Sequence, residues 1–239
     1  MKNYFVLIAF TAFFCGAKVN ADLVDNEAQI LLNFKSKYNN SQSDIVFLMD
    51  VSGSVSDYGF TSEKMFIESL LNEFSMAPYS TRVAIITFGS TVKTEINYID
   101  IDANSLTHQK CEFKPWFQYN VDHRKEAATR MIDAFQRNID LIQTAENNGY
   151  RRSNVHTVTI LITDGKWNLG DPTSNANSLK SNYGVDVVAV GVDGYSQEQL
   201  ESLATSADHA LGYSTFTKFR ELAMYIRGVH FCFAVSLLT

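Results

Sequence analysis

The stretch "DIVFLMDVSGSV", Asp44 to Val55, decides the fold. Its apolar run, Ile45 to Met49, is unbroken, as expected of a strand buried on both faces. The run ends on Asp50, and Ser52 and Ser54 follow at alternate positions. A strand that delivers a carboxylate and two hydroxyls into one tight turn points to a site at its carboxyl end.

Working outward, strand and helix patterns alternate. "FTSEKMFIESLLNEF" (Phe60–Phe74) has helical periodicity. "RVAIITF" (Arg82–Phe88) reads as a strand, with "TVKTEI" (Thr91–Ile96) as a hairpin partner at an edge. An irregular region surrounds Cys111, and the pattern predicts a long helix over Glu126–Ala145. Buried strands are expected at Thr157–Thr163 and Val185–Val192, with a helix between them over Ser174–Asn182. "SQEQLESLA", "HALGYST" and "FTKFRELAMYI" read as helix, short strand and last helix. The alternation predicts an α/β fold: a doubly wound, mostly parallel six-stranded sheet with one antiparallel edge strand and helices on both faces. Ligands of such sheets sit beyond the carboxyl ends of the strands, where the strand order reverses.

The 239-residue chain is 46% apolar and 19% charged, a globular composition. Its net charge of −6, with no basic run longer than the pairs Arg124-Lys125 and Arg151-Arg152, argues against a general nucleic-acid binder. Residues 1–21 read as a secretory signal: Lys2, the apolar "YFVLIAFTAFF", and small residues at Val19-Asn20-Ala21. That apolar stretch is short for a membrane span. Residues 22–43 read as a helix and linker, 44–227 as the main domain, and 228–239 as an apolar tail too short to cross a bilayer. Secretion implies an oxidising compartment, where Cys111 and Cys232 have each other or outside partners available. Asn39-Asn40-Ser41 is a glycosylation sequon.

A lone D-x-S-x-S is weak, because Asp and Ser are favoured in turns for their own backbone bonds. A second apolar strand, however, ends in Asp164-Gly165. Two strands then carry acids to one edge of the sheet, and carboxylates with hydroxyls suit a hard cation: Mg²⁺, or Mn²⁺ or Ca²⁺. The five histidines show no ligand spacing. No Ser/His/Asp pattern or phosphate loop is legible. A phosphohydrolase using Asp50 wants a second acid nearby, and Ser52 stands in its place. Trp116 and Trp167 read as packing residues, though Trp167, three past Asp164, is also placed to border a ligand face.

"DVSGSV" and "ITDG", so placed, resemble the von Willebrand factor type A domain and its metal-ion-dependent adhesion site. The resemblance spans roughly Asp44 to Arg227. It implies a site of three loops: Asp50, Ser52 and Ser54 from the first, Asp164 from the third, and a threonine from the second. The expected Gly-Gly-Thr-x-Thr loop is missing here. Thr129 is the best match, from its distance before Asp164 and the helix-like "TRMIDAF" that follows; Asp122 in "NVDHRKE" is the alternative. The resemblance further implies a secreted, non-enzymatic adhesion module, with a partner from the extracellular matrix or a cell surface that offers an acidic residue to the metal. Binding would couple to the last helix. The missing loop keeps a metal-independent interaction domain as the rival reading. By the same resemblance, a partner for Cys111 belongs near His209-Ala210, where this chain has no cysteine.

Overall fold

The computed structural model describes residues 42–99, 106, 109–165, 167 and 169–226. The expected leader, the 22–41 segment, the sequon, Cys232 and the tail lie outside the described residues. Six strands are described: β1 (Ser43–Asp50), β2 (Thr81–Phe88), β3 (Val92–Ile96), β4 (His156–Thr163), β5 (Asp186–Val192) and β6 (Ala210–Tyr213). The helices are α1 (Asp57–Asn72), α2 (Lys110–Asn120), α3 (Met131–Asn147), α4 (Thr173–Tyr183), α5 (Gln197–Leu203) and α6 (Phe216–Ile226). The strands form one sheet in the order β3-β2-β1-β4-β5-β6. Only the β2–β3 pairing is antiparallel. This is the predicted doubly wound sheet.

β1 explains why both faces are covered. Successive side chains of a strand point to opposite faces, and here both faces are apolar. Ile45, Phe47 and Met49 enter a core with Phe66, Ile67 and Leu70 of α1, Phe113 and Phe117 of α2, and Phe219 of α6. Val46 and Leu48 enter a second core with Phe135 and Ile142 of α3, Leu179 of α4 and Leu203 of α5. All five β1 residues are fully buried. Each contributes about 1.5–3 kcal/mol by leaving water.

The chain winds first from β1 to β2 and β3, then returns to place β4 on the other side of β1. The order therefore reverses between β1 and β4, and the turns after these two strands flank the resulting crevice. On the α1 side, Gly59 makes a close approach possible. A Cβ there would meet the Phe216 ring of α6 at 2.7 Å.

Two expectations need correction. The helix read as Glu126–Ala145 begins only at Met131, because residues 126–130 are stitched to other loops. The region around Cys111 is not irregular: α2 runs through it despite Pro115. An interior proline costs about 3 kcal/mol. Burial of Phe113 and Phe117, one turn apart on the same face, offsets it.

The amino ends of the strands carry a buried ion cluster. Arg82 donates from Nε and Nη2 to the two Asp44 oxygens, both at 2.7 Å, and Arg152 Nη2 donates to Asp44 Oδ1 at 2.5 Å. Arg152 also donates to the carbonyls of Ser43 and Ser80, each at 2.9 Å. Removing one partner of such a cluster strands the others without water. Arg82→Ala is expected to lower unfolding stability by about 3–5 kcal/mol in denaturant titrations. It should leave the opposite end of the sheet unchanged.

Candidate metal centre

The carboxyl ends of β1 and β4 lie side by side, with Met49 paired to Ile162 in parallel register. The next residues on the two strands' paths are Asp50, fully buried, and, after Thr163, Asp164, which is 8% exposed. The turn after β1 is held by its own acid: the Ser52 N–H donates to Asp50 Oδ1 at 2.9 Å, an Asx-type turn. The Ser52 and Ser54 hydroxyls are hydrogen-bonded at 2.9 Å. Ser54 Oγ in turn donates to Asp164 Oδ1 at 2.9 Å. Thr163 Oγ1 donates to Asp50 Oδ2 at 2.8 Å. Four of the five expected ligands are thus joined in one hydrogen-bonded chain across the crevice.

Thr129 is buried and stands just before α3, at the end of the segment 121–130. That segment reaches the same crest. The Gly53 N–H donates to the Glu126 carbonyl at 2.6 Å, and the Glu126 N–H to the Val51 carbonyl at 3.2 Å. Further on, the Ala128 N–H donates to Ser90 Oγ at 3.1 Å and the Arg130 N–H to the Gly89 carbonyl at 2.9 Å. The segment has no glycine, so its turn falls on Lys125 at φ 52°. The left-handed region costs a side-chain-bearing residue on the order of 1–2 kcal/mol. Asp122, the alternative, is exposed, and its charge acts on Lys64 of α1.

Several supporting groups carry no motif that would mark them. His123 stacks on Phe60 at 5.0 Å between ring centres. Its Nδ1 meets Asp57 at 3.0 Å and its Nε2 meets the Ser52 carbonyl at 3.2 Å. It fastens the second loop to the first. Arg124 bridges Glu126 at 2.6 Å and Thr87 at 2.6 Å. Glu126 also accepts the Thr91 N–H and hydroxyl, both at 2.7 Å. Thr163 was visible as the residue before Asp164, but only the fold turns its hydroxyl onto Asp50. Trp116 and Trp167 pack against the two cores.

Burial pushes the Asp50 carboxyl up from its ordinary value, against the bonds from Ser52 and Thr163 that pull it down. Asp164 is pushed up to about 6, first by burial and then by the charge of Asp50; the Ser54 bond opposes this. Among the described residues, no Lys or Arg pairs with either acid. No three His, Cys, Asp or Glu side chains among the described residues gather closely enough to hold one ion. The donor set is therefore two repelling carboxylates with neutral hydroxyls. These oxygens fit a hard divalent cation, whose charge would offset the burial that raises both carboxyls and the repulsion from Asp50 that adds to it at Asp164.

Comparison with known proteins bears on this geometry. The sequence profile of the von Willebrand factor type A domain matches residues 44–224. This chain belongs to that family. The rat sushi, von Willebrand factor type A, EGF and pentraxin domain-containing protein 1 is 33% identical over 185 residues, 75% of this chain and 5% of that protein. Human matrilin-3 is 28% identical over 188 residues, 75% of this chain and 36% of that protein. The chain thus spans a small part of the curated relatives it matches. Proximal thread matrix protein 1 of the mussel byssus, solved with a zinc-occupied metal-ion-dependent adhesion site, superposes with a TM-score of 0.68 at 24% identity. That match covers 80% of this chain and 48% of the mussel chain. The type A fold of the present domain is thereby shown.

The raised Asp164 makes the metal-free domain pH-sensitive. A carboxyl whose folded value exceeds its unfolded value, 3.8 here, contributes stability below that value and loses it as pH rises through about 6. Chelator-treated protein is expected to melt at falling temperature from about pH 4 to 6.5. Asp164→Asn should flatten that slope in calorimetry.

Proposed function

We propose that the domain is a secreted adhesion module that binds an extracellular protein through a divalent cation. Asp50, Ser52, Ser54, Asp164 and Thr129 would hold the ion, with Mg²⁺ first and Mn²⁺ or Ca²⁺ as substitutes. The observation that carries this reading is the hydrogen-bonded chain from Asp50 through Ser52 and Ser54 to Asp164 across the strand-order reversal. The cation would supply an electrophilic open position for a carboxylate of the partner.

The chain's own residues do the rest. Asp50 anchors the first loop through its bond from the Ser52 N–H and is itself aimed by Thr163. The serine hydroxyls, neutral, contribute oxygen without cancelling the ion's charge. Asp164, at the rim of the crevice, closes the set from the neighbouring strand. Among the described residues, the crevice includes no nucleophile activated by a His or Lys base, which favours binding over catalysis. A partner from the extracellular matrix or a cell surface, offering Glu or Asp, suits this chemistry. Secretion rests on the leader-like first 21 residues and on the extracellular modules named in the relatives. Among the described residues, no helix is long and apolar enough to cross a membrane. The rival reading, a metal-independent interaction domain, draws on the same hydroxyl–carboxylate bonds, which close the ring without an ion.

Thermal melts separate the two. Mg²⁺ at a hundredfold excess over its Kd stabilises by about 2.7 kcal/mol, which raises Tm by roughly 5–10 °C in a domain of this size. Asp164→Ala should lose most of that gain. Capture of immobilised matrix and cell-surface proteins should then fail in chelator and in the same variant. Equal melts for both proteins, with capture that survives chelation, would favour the metal-independent domain.

A further inference from the structure

The segment 121–130 has no glycine-rich turn before Thr129, yet the turn of the β2–β3 hairpin holds it at alternate positions. The Arg130 N–H donates to the Gly89 carbonyl at 2.9 Å, and the Ala128 N–H donates to Ser90 Oγ at 3.1 Å. The Glu126 carboxylate takes the next place: Thr91 donates to it from its N–H and from its hydroxyl, each at 2.7 Å. Successive residues of the hairpin turn thus hold residues 130, 128 and 126. Thr129 stands between two residues whose N–H groups are fastened there.

Glu126 also reaches the first loop. Its main chain bridges Ser52 in parallel. Its carbonyl accepts the Gly53 N–H at 2.6 Å and its N–H donates to the Val51 carbonyl at 3.2 Å, so it holds the residues on either side of Ser52. One residue therefore joins the D-x-S-x-S turn by its backbone, the hairpin by its side chain, and the segment that carries Thr129. Its carboxylate is turned to the hairpin and is fully engaged there. Oε2 accepts the Thr91 N–H, while Oε1 accepts the Thr91 hydroxyl and, at 2.6 Å, Arg124 Nε. Arg124 extends the clasp to both hairpin strands, donating to Thr87 of β2 at 2.6 Å and to Glu95 of β3 at 3.3 Å. The approach is close enough to require a glycine. A Cβ at position 89 would meet Glu126 Oε2 at 2.6 Å and Glu126 Cβ at 2.8 Å.

We infer that Glu126 is a positioning residue of the cation site: its side chain seats the second loop on the β2–β3 hairpin, and that seat sets where Thr129 stands relative to the D-x-S-x-S turn. The clasp takes the place of the missing glycine-rich turn. The physical basis is preorganisation. A threonine hydroxyl strengthens the hold on an ion only if it is already in place, because ordering a loose segment at the moment of binding subtracts from affinity. Groups that orient metal ligands without touching the metal act in this way. The hairpin turn, at the edge of the sheet, thereby becomes part of the framework of the site. The inference rests on the cation-binding reading above.

Calorimetric titration of the chain with Mg²⁺ alone tests it. Glu126→Ala removes the clasp and leaves the main-chain bonds to the first loop in place. It is expected to bind Mg²⁺ about tenfold more weakly. Glu126→Gln keeps a carbonyl oxygen for the Thr91 N–H without the charge, and should stay closer to the parent than to Glu126→Ala. A loss as large as that of Glu126→Ala would mean that the carboxylate acts by its charge, and would overturn the positioning role. The decisive comparison is with Thr129→Ala. If Glu126 acts through Thr129, the double variant should bind no more weakly than Thr129→Ala. A purely structural role would lower melting temperatures, yet leave Kd unchanged or give losses that add. Either result, or a Thr129→Ala variant that binds like the parent, would overturn the role of Glu126 and leave the strand-end acids as the cation site. Thr91→Val, a milder change that removes only the hydroxyl bond, should lose affinity in the same Thr129-dependent way, and it decides the matter should Glu126→Ala fail to fold. A parent chain that binds no Mg²⁺ would overturn both the clasp and the cation-binding reading.

Discussion

Everything at the crest of this domain follows from two like-charged acids brought together. β1 and β4 are neighbours in parallel register; β1 ends on Asp50 and Asp164 directly follows β4. Parallel strands point their carboxyl ends in one direction, so the acids must meet. Left ionised and dry they repel, and burial sharpens the repulsion. The surroundings answer with hydroxyls rather than cations: Ser52, Ser54 and Thr163 contact the pair, while the arginines are held elsewhere. Arg82 and Arg152 are bound to Asp44 at the far end of the same strands. Arg124 is occupied by Glu126 and Thr87.

This division gives the sheet two unlike ends. At the amino end, acid and guanidinium neutralise each other inside the protein. At the carboxyl end, no Lys or Arg among the described residues pairs with either acid, and a visiting ion is the natural complement. The second loop is organised for support as much as for ligation. Glu126 lends its backbone to the first loop and its side chain to Arg124 and Thr91, so Thr129 arrives on a segment fixed at several points.

The fold was legible because its strongest signals are local and repeated. Ile45 to Met49 is apolar without interruption, and strand and helix periods alternate to the end of α6. Asp50, Ser52, Ser54 and Asp164 were legible for the same reason: each sits at a strand end that the pattern marks. What escaped depended on contacts between distant segments. The start of α3 was misplaced because residues 126–130 have helical composition, yet their backbone groups are taken by Val51, Gly53 and Gly89. α2 was missed because Pro115 and the lack of a cap hid it, while the energy that forms it lies in the burial of two phenylalanines. His123 carries no spacing signal, since its partners Asp57 and Ser52 lie far upstream.

The contact at Gly59 ties the last helix to this chemistry. Two helices pack only as closely as their side chains allow, and here one of them presents bare backbone to an aromatic ring. That spot lies five residues after Ser54 and three after Ser56, whose hydroxyl caps α1. The first turn of α1, the serine-bearing loop and the seat of Phe216 therefore form one rigid bearing. A methyl group at position 59 would wedge the ring outward, and the disturbance would be felt where the serines stand.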